Sequence, residues 1–222
     1  MTANSKQSTM SLILVPSIIT LAITILRTVG ELQHWSPRFF STEPGGGGAI
    51  VGISWLPVIF GIYFAWKLAG SGELTTSPLK ALGLDILGFV IVAGAGFAAT
   101  AIAGKDALPV ILLVVLAAMT IAAFIQFAGW SQLTKTLLAY GIAARVPVII
   151  VYFLAFQGNW HTHYDAIPPN APQLAELSVI RKFINLALLP QLFLWIPFTI
   201  LVGTFFGSIT GLIANLTGKS KR

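Results

Sequence analysis

The sequence predicts an all-α fold: a polytopic integral membrane protein built as a six-helix transmembrane bundle, with an interfacial amphipathic helix before the last span and a single domain over residues 1–222. Three observations predict it. Six apolar segments, each near the ~20 residues a helix needs to cross a hydrocarbon core, alternate with short connections that hold most of the charge. The chain is 56% hydrophobic and 9% charged, more apolar surface than a water-soluble core of 222 residues can hide. In the last segment Gly203, Gly207 and Gly211 recur at intervals of four, the spacing that lets helix backbones approach closely in lipid.

The first apolar run, 11–29, comes after MTANSKQSTM; no small-x-small cleavage site lies beyond it, so it reads as an uncleaved first span. The second span, 49–69, comes after the glycines 45–48, which read as a flexible loop, and Pro57 bends it. Ser77 and Pro78 have the residue types of an N-cap and first helical position for the third span, 81–104. That span carries its own small-residue ridge, Gly96, Thr100 and Gly104, the expected neighbour of the ridge in the last helix; the alternative neighbour is the same helix of a second copy or of a membrane partner chain. Spans four and five cover 107–129 and 137–156. Over 173–189, at about 100° per residue, Ser178, Arg181, Lys182 and Asn185 share one arc and Leu177, Val179, Ile180, Phe183, Ile184 and Leu186 the opposite one, the pattern of a helix lying in the interface. Pro190 is expected to break it before the last span, 190–216.

In this topology Lys6, Lys67, Lys80, Lys135, Lys219, Lys221 and Arg222 lie on one side and Arg38, Lys105, Arg181 and Lys182 on the other, which puts both termini in the cytoplasm of a cell-membrane protein. The 13 Lys and Arg are scattered singly between apolar runs, which points to the lipid bilayer as partner and excludes a nucleic-acid stripe. Cys is absent, which removes disulfides, thiolate metal sites and cysteine nucleophiles.

Two polar groups need an explanation in such a chain. Asp85, Gln126 and Arg145 fall inside spans, where a charge costs a few kcal/mol and usually faces the bundle interior with a partner. Helical side chains lean toward the N-terminus, so Arg145 is expected to reach toward Asp85 with help from Gln126. The second group lies on the outer face. Arg27, Glu31 and His34 share an arc of about 60° if the first helix continues past residue 29. His161, His163 and Asp165 alternate, so an extended segment would put two imidazoles and a carboxylate on one face, ligand types suited to a divalent metal that Glu31, His34 or Glu176 would complete. The same residue types also suit plain interfacial anchoring.

Three function classes remain. Transport or permeation of a small solute or ion would use the buried polar residues and the proline-bent last helix as a route. A non-catalytic membrane subunit or assembly factor would dock other chains on the glycine ridge. A metal-dependent membrane enzyme would work through the outer His and carboxylate group. No nucleophile elbow or nucleotide loop is present to name a reaction.

Overall fold

Apolar helices account for most of the computed structural model, which describes residues 8–47, 49–104 and 107–218. Lys6, Gly48, Lys105, Lys219, Lys221 and Arg222 lie outside the described residues. The helices are α1 (Thr9–Leu32), α2 (Leu56–Gly70), α3 (Pro78–Ala103), α4 (Leu108–Ile125), α5 (Phe127–Gly158), α6 (Val179–Phe183) and α7 (Ile196–Leu216). Two π turns, Ile184–Leu188 and Gln191–Trp195, join α6 to α7, so that Val179–Leu216 runs as one apolar helix of 38 residues. With α1, α3, α4 and α5 this makes five helices long and apolar enough to cross a membrane. At 15 residues α2 is about 22 Å long at the usual rise, short of a full crossing.

The local reasons are plain. Ser8 caps α1 by accepting from Ser11 N, and Ser77 caps α3 by accepting from Lys80 N. Within α1, Thr20, Thr24 and Thr28 each donate to the carbonyl four residues back, which satisfies their hydroxyls without water. At the start of α5 Trp130 leaves helical geometry (φ −140°, ψ 82°), and its indole N–H donates to Glu73 O at 3.0 Å, tying the α2–α3 connection to the α4–α5 corner.

The expected interfacial helix is not one element. Pro172–Glu176 forms a 3-10 turn, Leu177 and Ser178 are extended, and the chain then enters α6 directly. Nor does Pro190 break the helix: it keeps φ −60°, ψ −41°. The π turns on either side explain this, because the wider turn makes room for the ring and for the missing N–H donor.

The organising helix is α7. It touches α2, α3, α4 and α5, and 56% of the most apolar stretch of Val179–Leu216 is buried against 11% for α3. Its glycine ridge faces α2 and α5, not the Gly96, Thr100, Gly104 ridge of α3, and this corrects the expected pairing. A Cβ at Gly207 would come within 3.2 Å of Gly61 O and 3.3 Å of Ala65, and one at Gly211 within 2.7 Å of Trp130. All three ridge glycines are buried within the chain. On α3, Gly96 meets only Val115 of α4 at 3.6 Å, Gly104 ends the helix at φ +82°, and Thr100 donates back to Gly96 O. The α3 contact with α7 runs instead through Gly88 beside Leu201 and Phe89 against Phe205.

Candidate functional site

One end of the bundle gathers the C-terminal end of α1, the 33–55 connection, the C-terminal end of α5 and the 159–178 connection. Helix α1 continues to Leu32, so Arg27 and Glu31 stand one turn apart and Arg27 Nε donates to Glu31 Oε1 at 2.8 Å. His34 has already left the helix at φ 52° and is exposed, which takes it out of the expected arc.

Glu31 is 1% exposed and is satisfied from the far end of the sequence. His163 N donates to Glu31 Oε2 at 2.9 Å, and His163 Nδ1 lies 2.6 Å from Oε1 and 2.8 Å from Oε2. A carboxylate that collects a guanidinium, a ring N–H and a backbone N–H can stay ionised in so dry a place. Arg27 Nη2 then donates to Ser41 O and Gly46 O, which clips the 41–46 loop over the pair. Gly46 is required there: its φ is +70°, and a Cβ would run into Arg27 Nη2 and within 3.1 Å of the His163 ring.

The other members of the outer group do different work. Asp165 accepts from His161 N at 2.9 Å and from Thr162 N and Thr162 Oγ1 at 2.7 and 2.9 Å. These bonds, with His161 at φ 57°, curl the segment into a turn, so His161 and His163 do not share the face that extended alternation would give them. The exposed His161 ring meets Asn159 at 3.2 Å. Of the proposed metal ligands, the structure joins Glu31 to His163 and separates His34, His161 and Asp165 from them. Among the described residues no group of three or more His, Cys, Asp or Glu side chains is placed to hold a metal ion.

Burial pushes the His163 imidazole below its ordinary value, with Glu31 and Asp165 opposing the shift and Arg27 adding to it. The ring is therefore neutral at pH 7 and donates from Nδ1. An unfolded chain takes up a proton near pH 6.5 while the folded one resists it, so this contribution is complete above pH 6.5 and is lost as pH falls toward the folded value. Unfolding stability in detergent should fall as pH drops below 6.5, by up to about 1.4 kcal/mol per pH unit, and the His163→Asn variant should lose that part of the slope. Parallel profiles for the two proteins would remove His163 from the acid response.

The deep residues divide between two places. Arg145, 4% exposed, points its Nη1 at Gln191 Oε1, 3.4 Å away, and lies over the Trp195 ring at 4.9 Å. Its Nε is buried with no hydrogen-bond partner, and neither ion pair among the described residues includes it. Asp85 is elsewhere: both of its oxygens are buried without a hydrogen-bond partner in range, and the polar side chains that face it are Ser208 and Thr204 of α7. Gln126, the C-cap of α4, donates to Leu84 O and Ala122 O and pins the α3–α4 pair. The expected Asp85–Arg145 pairing is thus corrected, because helix α7 and the π turn ahead of it supply different partners to each.

Arg145 does share a cavity with the outer group. A space of about 460 Å³ is bounded by Arg27, Arg145, Tyr152, His163, Tyr164 and Gln191, with apolar walls from α1, α4 and the stretch leading into α7. Burial pushes the Tyr164 hydroxyl up to about 12, so it remains a neutral donor. Gln191, Trp195 and Tyr152 are not singled out by the sequence pattern; the one available signal is a glutamine and a tryptophan spaced by four directly after Pro190. Compared with known protein families, with curated proteins and with solved structures, the chain matches none.

Proposed function

We propose that this protein is a multi-pass protein of the cell membrane that binds a small anion in the Arg145 cavity and passes it across the bilayer. One observation carries the reading: a guanidinium lies inside an apolar bundle, lines a cavity, and has no carboxylate to neutralise it among the described residues. A charge in that position is costly unless something of opposite sign visits it. Aromatic contact with Trp195 and the amide of Gln191 hold the guanidinium in place and supply none of the missing charge.

The finer topology belongs to the same proposal. The chain crosses six times, α2 being the short crossing with the irregular residues ahead of it, and the Lys and Arg distribution puts both termini in the cytoplasm and the cavity toward the far side. Helix ends alternate in support: α1 and α5 finish at the cavity, and α2 and α7 finish near Trp130.

Purified protein in proteoliposomes should take up small radiolabelled monoanions, formate and acetate among them, and Arg145→Gln should lower that uptake roughly tenfold through loss of a charge-assisted bond. Equal flux through parent and variant for every anion that moves would defeat the reading.

A further inference from the structure

The anion reading does not say what else the ligand carries, and the cavity walls do. With Glu31 behind the lining counted, the charges around the cavity balance to a single positive unit. Arg27 is neutralised by Glu31 at 2.8 Å, and its Nη2 is engaged by Ser41 O and Gly46 O. The neutral His163 ring hydrogen-bonds the same carboxylate through Nδ1. That leaves Arg145, more than nine-tenths buried, with Nε unpartnered. One guanidinium edge matches the two oxygens of a carboxylate or of a singly charged phosphodiester. A dianion would leave one negative charge buried and unmatched.

The wall built by α1 and α4 is apolar. Among the described residues α1 and α4 share no extensive contact, and the cavity is flanked there by Ile23 and Leu112. Leu112 keeps 44% of its surface accessible, more than any other large apolar side chain of the lining, and Val110 and Leu113 near it are 51% and 68% exposed on the apolar exterior of α4. A headgroup seated at Arg145 would therefore have a greasy exit beside it instead of a closed pocket.

Resting on the anion reading, we infer that the ligand is a monoanionic amphiphile: its head sits on Arg145 between Gln191 and Tyr152, and its tail leaves through the gap between Ile23 and Leu112 into the bilayer. The carboxylate of a free fatty acid and the phosphodiester of an anionic lipid share this chemistry.

The test uses the full chain in phosphatidylcholine nanodiscs with radiolabelled oleate, empty discs serving as the partition blank. Oleate should bind saturably at one per chain; acetate and oleyl alcohol, which carry the head alone and the tail alone, should fail to displace it at equal concentration. Phosphatidylglycerol displacing oleate would assign the site to lipid headgroups, and failure to do so would assign it to free carboxylates; either supports the inference. Arg145→Gln should weaken oleate binding roughly tenfold or more. Leu112→Trp, at a position that is 44% exposed, should lower oleate affinity without touching the head site. Acetate or phosphate competing as well as oleate would overturn the amphiphile and leave the anion reading standing. Oleyl alcohol binding equally, with Arg145→Gln unchanged, or no saturable binding of any probe, would overturn both.

Discussion

Replacing Glu31 with Ala should cost about 3 to 5 kcal/mol of stability, the scale found when one partner of a buried ion pair is removed. The carboxylate accepts from Arg27 Nε, His163 N and His163 Nδ1, so its loss strands a guanidinium and two N–H donors in a site that is 1% exposed. Each stranded donor alone is worth about 1 to 3 kcal/mol. The damage should also spread to the cavity, because Arg27 holds the 41–46 loop through Ser41 O and Gly46 O and would be free to swing. Reversible unfolding in mixed micelles measures the effect. A double-mutant cycle with Arg27→Met tests its origin, since the paired variant should recover part of the loss when no buried charge is left without a partner. A cost below about 1 kcal/mol for Glu31→Ala would mean that water reaches the site and that the clamp does not hold this end together.

How much of this could be read from the chain divides along a physical line. Length and apolarity are local, so a helix appears in every segment where hydropathy demanded one, with Ser77 and Pro78 starting α3 as their types require. Contacts within one turn are equally local, and Arg27 with Glu31 comes from a spacing of four. Rotation about the helix axis is not local. Hydropathy gives the depth of Arg145 and Asp85 but not the direction each one faces, and the two turn to different stretches of α7 and of the π turns ahead of it. The Glu31–His163 bond spans 132 positions and depends on the turn that Asp165 winds, which extended alternation hid. Pro190 misled because a proline costs a helix only where the backbone cannot widen, and two π turns supply the widening here.

The ridge on α7 offers the sharpest comparison of packed and unpacked glycines. A Cβ placed on Gly61 would lie 2.7 Å from Gly203 Cα and 2.9 Å from Gly203 C, both backbone atoms that no rotamer change can move aside. Gly61→Val should therefore push α2 away from α7 along the most extensive helix contact in the protein, at a cost of about 3 kcal/mol or more. Gly203→Val should cost less, because its obstacles are the methyl groups of Leu137, which can turn. Gly96→Val provides the control. Its nearest neighbour is 3.6 Å away on Val115, so stability should stay within about 0.5 kcal/mol of the parent. Unfolding in mixed micelles would rank the three. Equal losses at Gly61 and Gly96 would mean that the α3 ridge is packed against something as tightly as α2 is packed against α7, and the position of α7 as the common wall of cavity and core would have to be given up.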